Sequence, residues 1–166
     1  MIRASGGEVA ITAGTDKKCR WCRDLGAEIT VNYKKEDFEE ALKGQGFTPD
    51  IVLDMVGGEY VSKNLRLLAQ YGRHLSIAFL EGRHTTIDIR AIMQKQLILT
   101  GSTLRGQDNA VKNRIANDLK DKIWPLLSSH QIKPALTRTF SFAQVAEAHR
   151  HLEKPTSFGK IAVTHA

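Results

Sequence analysis

The stretch Ile51-Val52-Leu53-Asp54-Met55-Val56-Gly57-Gly58 gives the strongest indication of how this chain folds. A short apolar run that ends in two glycines is typical of a buried strand followed by a tight turn. Glycines just past the carboxyl end of a parallel strand let a ligand approach the backbone, but an ordinary strand-to-helix turn uses the same residues. The stretch therefore predicts a strand of a parallel sheet and leaves the role of its turn open.

Short β-branched runs alternate with amphipathic helical segments on both sides of this stretch. Strands are predicted at residues 9–13, 29–31, 51–56, 74–77 and 97–100, and helices at 16–25, 36–43, 59–68 and 89–95. This alternation indicates a parallel sheet wrapped by helices rather than a sandwich or a bundle. The predicted fold class is therefore α/β.

The pattern changes after Gly101. A long helix is predicted from about residue 109 to residue 128, interrupted or ended near Pro125, and a strand follows at 135–140. Ser141-Phe142-Ala143-Gln144 has the pattern of a capping box that opens a helix at 142–152, and a closing strand follows at 160–164. These last elements have the character of an α/β tail that belongs with another part of a protein.

Neither a Gly-x-Gly-x-x-Gly fingerprint nor a Walker motif is present. Dinucleotide-binding folds place the pyrophosphate over a Gly-rich turn after their first strand. Residues 1–5 instead suit the last turn of a helix capped by Gly6-Gly7, so residues 9–13 take the place of the second strand. The sequence thus predicts an incomplete Rossmann-like, doubly wound parallel sheet that lacks its first strand and its Gly-rich loop.

Length and composition fit one globular domain. The chain has 166 residues, 42% hydrophobic and 25% charged, which excludes collagen and wholesale disorder. Its apolar runs fall far short of the roughly 20 residues of a membrane span, so no membrane partner is predicted. Two cysteines are too few for a secreted disulfide scaffold, and residues 1–5 contain no apolar signal-peptide segment. We therefore predict a cytoplasmic location.

The net charge of +6 is unevenly distributed. Residues 1–83 contain 12 basic and 12 acidic residues, whereas residues 84–166 contain 12 and 6. Such a surplus permits nucleic-acid binding, but the basic residues are scattered among acids and no aromatic-basic stripe accompanies them. No nucleic-acid partner is predicted, and a non-catalytic Rossmann-like or basic nucleic-acid-binding module stays the alternative to an enzyme.

Gly14-Thr15-Asp16-Lys17-Lys18 follows the first predicted strand, where a dinucleotide-binding domain reads the adenosine ribose. An acid there binds the 2′-hydroxyl of NAD, whereas small or hydroxyl residues followed by lysines favour the 2′-phosphate of NADP. The lysines also lie in the first turn of a predicted helix, where cations are unfavourable unless an anion neutralises them. Solvated surface lysines would give the same pattern, and Asp16 could still direct the site toward NAD.

Cys19 and Cys22 form a Cys-x-x-Cys motif. A redox role is disfavoured because Cys19 lies too far from the helix end that lowers a thiol pKa. A zinc site is disfavoured because a second such motif is missing and His149 and His151 would point to different sides of a helix. We predict that both cysteines pack in the interior and that no metal is bound. Hydrolase and short-chain dehydrogenase motifs are also missing, so no catalytic residue is assigned.

Several stretches together resemble the medium-chain dehydrogenase/reductase superfamily, and in particular its zinc-independent NADPH:quinone oxidoreductase branch. The stretches are TAGTDKK at 12–18, DLGA at 24–27, VNYKKEDF at 31–38, DIVLDMVGG at 50–58, AEAH at 146–149 and GKIAV at 159–163. The resemblance covers only about the second half of a typical member. It implies an enzyme that transfers hydride from NADPH to a quinone or other conjugated carbonyl.

The resemblance implies a binding site for the 2′-phosphate end of NADPH. Gly14, Thr15 and Lys18 match a Gly-Thr/Ser-x-x-Lys motif, and Tyr33 matches an Asn-Tyr motif. A lysine supplies a point charge and a phenol donates a hydrogen bond, and both suit a phosphate oxygen.

Contacts near the rest of the cofactor are also implied. Val56 and Gly57 match an Asp-x-Val-Gly turn beside the cofactor, and Leu104 lies in a loop that approaches the nicotinamide. Ile77 and Ala78 match a strand end where family members often have an aromatic residue and a glycine, so this chain departs from the pattern there.

The resemblance further divides the chain into a partial NADP-binding domain, residues 1–130, and a tail, residues 131–166. The tail would pack on an N-terminal substrate domain. Without that domain its apolar side chains would be partly exposed, namely Phe140, Phe142, Leu152, Ile161 and Val163. Family members form a continuous sheet across a homodimer through the strand at 97–103. An unpaired apolar edge is a liability in a monomer, which independently supports this homodimer.

Overall fold

A computed structural model describes residues 1–154 and 156–165, and these form two compact units. One unit is Glu8–Ile115, and the other combines Met1–Gly7 with the residues from Ala116 onward. Pro155 and Ala166, which belong to the predicted tail, lie outside the described residues. The predicted domain boundary at 130/131 stays a prediction.

The first unit alternates strands and helices as predicted. Its elements are β1 (Ala10–Ala13), α1 (Asp16–Asp24), β2 (Ile29–Asn32), α2 (Phe38–Gly44), β3 (Ile51–Asp54), α3 (Glu59–Leu67), β4 (Arg73–Ser76), α4 (Ile89–Lys95) and β5 (Ile98–Gly101). A further helix, α5 (Asn109–Lys122), spans the point at which the two units divide.

Two predicted boundaries are wrong, the start of α2 and the end of β3, because an aspartate side chain sets each of them. α2 begins at Phe38 rather than at residue 36, since the Asp37 carboxylate accepts the backbone N–H groups of Glu39 and Glu40. β3 ends at Asp54 rather than at Val56, since the Asp54 carboxylate accepts the N–H of Val56 and turns the chain.

All strand pairs in this unit are parallel. β1 pairs with β2 from Ala10 opposite Ile29 to Ala13 opposite Asn32, and a separate sheet has the order β3-β4-β5. Within the described residues, β1 and β3 each pair along one side only. The order corresponds to a doubly wound sheet, 3-2-1-4-5-6, without its first strand. The predicted incomplete Rossmann-like fold is therefore confirmed.

Two apolar clusters fix the helices on these strands. Val31 of β2 packs with Phe38 and Leu42 of α2 and with Leu67 of α3. Leu65 and Leu68 pack with Leu97, which directly precedes β5. Burial of several large side chains at about 1.5–3 kcal/mol each holds the strand ends in place.

The second unit contains α6 (Trp124–Ser128), β6 (Leu136–Ser141), α7 (Val145–Leu152) and β7 (Lys160–Thr164), with β6 parallel to β7. The predicted helix at 109–128 is divided into α5 and α6 at Ile123. Pro125 lies in the first turn of α6, where a missing N–H donor is tolerated. Among the described residues, none of the helices is long and apolar enough to span a bilayer.

The capping box of Ser141 and Gln144 is present, but a 3₁₀ turn over Phe142–Gln144 precedes α7, so the helix begins later than predicted. The expectation that Phe140 is exposed is wrong. Its ring is buried within the tail, with the Arg138 guanidinium 4.8 Å from its centroid and the His151 ring 5.7 Å away. Phe142, Leu152 and Val163 are exposed and Ile161 is half-buried, as expected.

Candidate cofactor site

The first part of the candidate site is the turn between β1 and α1. Thr15 has an extended backbone and caps α1, because its hydroxyl accepts the N–H of Lys18 at 3.2 Å. The cap begins the helix two residues after the strand ends. Gly14, Thr15 and the first turn of α1, which carries Lys18, therefore lie together at the carboxyl end of β1.

Tyr33 lies directly against this turn. A Cβ atom added to Gly14 would lie only 2.7 Å from the Tyr33 hydroxyl oxygen and 3.4 Å from Cε of Lys34. The Tyr33 N–H donates to the carbonyl of Ala13 at 3.2 Å and so continues the pairing of β2 with β1. The phenol thus covers a position that only glycine leaves open, and Gly14 and Tyr33 are brought together.

Asp16 is engaged on both carboxylate oxygens. Asn32 donates to Oδ1 at 2.6 Å, and the Lys35 ammonium lies 2.5 Å from Oδ2. The hydrogen bond from Lys35, and then that from Asn32, hold the pKa of Asp16 below its usual range. Sequence reasoning did not assign Asn32 or Lys35, although the basic run just after β2 was a signal.

The second part of the site is the turn after β3. The buried Asp54 carboxylate accepts the N–H of Val56 at 2.7 Å and that of Gly57 at 3.1 Å through its Oδ1. Its Oδ2 lies 3.2 Å from Nε2 of His74, which is only 2% exposed. Because a carboxylate only accepts, the imidazole donates through Nε2. Asp54 and His74 therefore hold the turn after β3 in place from its buried side.

This buried polar pair was missed by sequence reasoning. Asn64 lies 3.4 Å from Nε2 of His74, and the Ser76 hydroxyl lies 3.5 Å from its Nδ1. A histidine in the short central strand β4 was the available signal in the sequence. Its contact with Asp54 follows only from the β3–β4 register, in which Asp54 is opposite Ser76, two residues after His74.

A loop after β4 closes against the same turn. Gly58 donates to the carbonyl of Gly82 at 2.9 Å, and Glu81 donates to that of Val56 at 2.8 Å. A Cβ atom on Gly57 would lie 2.6 Å from the Gly82 carbonyl oxygen, so only glycine fits. Both the turn and the loop are therefore held by backbone contacts.

Ile77 and Ala78 begin this loop, and the N–H of Ile77 donates to the carbonyl of Asp54 at 2.8 Å. Val56, Gly57, Ile77 and Ala78 thus meet at the carboxyl ends of β3 and β4. Leu104 follows β5 in an exposed loop, and the strand order places that loop at the same edge of the sheet.

The two cysteines take no part in this site, and the described residues offer no cluster of metal ligands. Cys19 is buried, Cys22 is half-buried, and both are free thiols. Burial raises the pKa of Cys22, which is the opposite of what an attacking thiolate needs. In the part of the chain that the structure describes, no three His, Cys, Asp or Glu side chains are grouped closely enough to hold a metal ion.

The parallel strand order and the turns at the strand ends define a Rossmann-like α/β chain. A sequence profile of the family described as zinc-binding dehydrogenase matches residues 25–163. The chain therefore belongs to this family of the medium-chain dehydrogenase/reductase superfamily, and the resemblance noted above is confirmed.

Known relatives agree with this assignment. Bovine quinone oxidoreductase-like protein 2 is 28% identical in an alignment 163 residues long, which covers 95% of this chain and 45% of the relative. A zebrafish protein named NAD(P)H oxidoreductase RTN4IP1, mitochondrial, is 27% identical in a gapped alignment 174 positions long, which covers 99% of this chain and 44% of the relative. The chain thus spans just under half the length of these relatives.

Solved structures share the fold. Quinone oxidoreductase from Thermus thermophilus, also solved in complex with NADPH, superposes with a TM-score of 0.80 at 27% identity, over 98% of this chain and 51% of that one. The Escherichia coli quinone oxidoreductase complexed with NADPH has a TM-score of 0.78 at 24% identity, over 98% of this chain and 51% of that one.

Proposed function

We propose that this chain is the cofactor-binding part of an NADPH-dependent oxidoreductase that transfers hydride to a quinone or other conjugated carbonyl. The observation that carries the proposal is the contact of Tyr33 with Gly14 beside the first turn of α1. It brings a phenol hydroxyl to one strand end, beside the helix N-terminus whose first turn carries Lys18. These are the groups that a 2′-phosphate requires.

At the 2′-phosphate end, each residue has a distinct role. Gly14 leaves space for the Tyr33 ring, Thr15 fixes the start of α1, and Lys18 supplies positive charge from its first turn. The Asp16 carboxylate is already satisfied by its two partners and therefore adds little repulsion. The site thus favours NADPH over NADH.

The second turn is proposed to support the nicotinamide end. Val56 and Gly57 present a rigid backbone, while Ile77, Ala78 and Leu104 supply apolar surface that excludes water from the hydride path. The chain departs from its family at Ile77 and Ala78, so contact there would come from an aliphatic side chain and a methyl group. The bound nicotinamide supplies the hydride, and we assign no general acid to the described residues.

The rest of such an enzyme is proposed to lie outside this chain. The unpaired sides of β1 and β3 would accept the missing first strand of the sheet, and residues 131–166 would pack on a substrate domain through Phe142 and Leu152. β5 ends its sheet with Ile98 and Leu99 exposed, which suits the homodimer predicted through residues 97–103. A cytoplasmic location stays a prediction, since one relative is named as mitochondrial.

The experiment compares the affinities of NADPH and NADH for the chain by isothermal titration calorimetry. Lys18→Ala is expected to weaken NADPH binding about tenfold or more, because a hydrogen bond between charged groups contributes about 1.5–3 kcal/mol. The affinity for NADH should change by less than about twofold, since NADH carries no 2′-phosphate.

Lys120→Ala is the matched control, since it removes the same charge from an exposed position of α5. It should leave both affinities unchanged. Equal affinities of the wild-type chain for NADPH and NADH, together with no effect of Lys18→Ala, would contradict the proposed cofactor. Quinone-dependent loss of NADPH absorbance, with a saturated carbonyl as the comparison, tests the acceptor class.

A further inference from the structure

We propose that Asn32 and Lys35 determine the cofactor preference of this site by holding the Asp16 carboxylate in a position where it cannot read the adenosine ribose. The proposal rests on the proposed function, because it concerns the same strand end. It assigns specificity to two residues that do not belong to the Gly-Thr-x-x-Lys motif.

Asp16 stands where an NAD-binding site needs an acid. It is the third residue after β1 and the first residue of α1. A carboxylate at such a strand end accepts hydroxyls of the ribose and repels a 2′-phosphate. From its position alone, Asp16 would therefore oppose binding of NADPH.

Asn32 removes one of the two carboxylate oxygens from this role. It is the last residue of β2, pairs with Ala13 in the register and is only 7% exposed. Its Oδ1 accepts the N–H of Lys34 at 3.2 Å, so its amide nitrogen must be the group that donates to Oδ1 of Asp16 at 2.6 Å. The donor is thus held in a fixed orientation by the backbone.

Lys35 engages the other oxygen and neutralises the charge. Its N–H donates to the carbonyl of Asn32 at 2.8 Å, so the turn after β2 places the ammonium group beside Oδ2 of Asp16. The Lys35 side chain is 65% exposed and that of Asp16 is 47% exposed. Because the pair lies at the surface, the loss of Lys35 would free the carboxylate without leaving a buried charge.

The test is a double-mutant cycle with Lys35→Met, Asp16→Asn and both changes together. The probes are adenosine 2′,5′-bisphosphate and 5′-AMP, which carry the adenosine end of the cofactor with and without the 2′-phosphate. Dissociation constants are measured by NMR titration of the chain. The quantity compared is the ratio of the two constants, which isolates recognition of the 2′-phosphate.

Lys35→Met is expected to lower the preference for the bisphosphate about fivefold, the upper end for an exposed ion pair. In the Asp16→Asn background the same change should lower it by less than about twofold, since no carboxylate is then released. Lys120→Met is the matched control and should leave the ratio unchanged. NMR titration of the Asp16 carboxyl should give a higher pKa in Lys35→Met than in the wild type.

Two outcomes would overturn the inference while the proposed function stands. An equal loss in both backgrounds would mean that Lys35 contacts the phosphate directly, and no loss in either would mean that Asp16 plays no part. The proposed function fails separately if the wild-type chain shows no preference for the bisphosphate over 5′-AMP, and the inference then falls with it.

Discussion

Replacement of Gly57 by alanine adds a methyl group at a turn where backbone atoms already occupy its place. Gly57 has φ +72°, and its added Cβ would lie 2.6 Å from the Gly82 carbonyl oxygen and 3.0 Å from Cα of Phe79. Neither atom is the end of a flexible side chain, so the loop after β4 would have to move away.

The expected loss of stability has two parts. A residue with a side chain in the left-handed region costs about 1–2 kcal/mol. Displacement of the loop would weaken the bonds from Gly58 to Gly82 and from Glu81 to Val56, at about 0.5–1.5 kcal/mol each. We therefore expect Gly57→Ala to lower the free energy of unfolding by about 2–5 kcal/mol.

Two other glycines provide matched controls. Gly46 has φ +68° but nothing within 4 Å of an added Cβ, so Gly46→Ala should cost only the backbone part, about 1–2 kcal/mol. Gly44 ends α2, and its added Cβ also meets open space. Gly44→Ala should be neutral or stabilising by up to about 1 kcal/mol.

Urea unfolding followed by circular dichroism measures all three variants against the wild-type chain. We expect the free energy of unfolding to fall most in Gly57→Ala, less in Gly46→Ala and not at all in Gly44→Ala. A loss at Gly57 no larger than that at Gly46 would refute the close packing of the turn against the loop.

Two further predictions concern polar groups. Glu39 has its pKa lowered chiefly by the hydrogen bond from Arg66, so its contribution to stability is present above about pH 4.3 and is lost as the pH falls through the lower folded-state pKa. Arg66→Met should therefore reduce the acid-dependent loss of stability measured between about pH 6 and pH 3, and an unchanged loss would contradict this. Asp54→Ala should destabilise the chain by about 2–4 kcal/mol and speed amide hydrogen exchange at Val56 and Gly57, whereas unchanged exchange there would contradict its role in the turn.

Much of the fold could be predicted because periodicity along the chain reports local structure. The strand-and-helix alternation of the first unit needs only the spacing of apolar residues, and its element ends fall within two residues of those predicted. The errors at residues 36 and 56 arose because a side-chain hydrogen bond sets the boundary. Asp37 begins α2 in this way, and Asp54 ends β3. Periodicity contains no information about such bonds.

The candidate site was predictable only in part. The Gly-Thr-x-x-Lys motif and the Asp-x-Val-Gly turn are contiguous in sequence, and their residues lie at strand ends as expected. Asp16 contacts Asn32, which is 16 residues further along the chain, and Lys35, which is 19 residues further. Both contacts depend on the register of β1 with β2. A shift of that register by one residue would point Asn32 to the opposite face of the sheet.

The same dependence on register links the two ends of the site. Asn32 and Asp54 are each the last residue of a parallel strand, and each uses its side chain to hold a neighbouring turn. Asn32 holds the carboxylate of Asp16, whereas Asp54 holds the backbone of Val56 and Gly57. Since both side chains are fixed by the sheet, the two strand ends give the proposed cofactor contacts a rigid support. Substitution of the side chains that hold these turns should therefore change the affinity for the cofactor, even where those side chains touch no ligand.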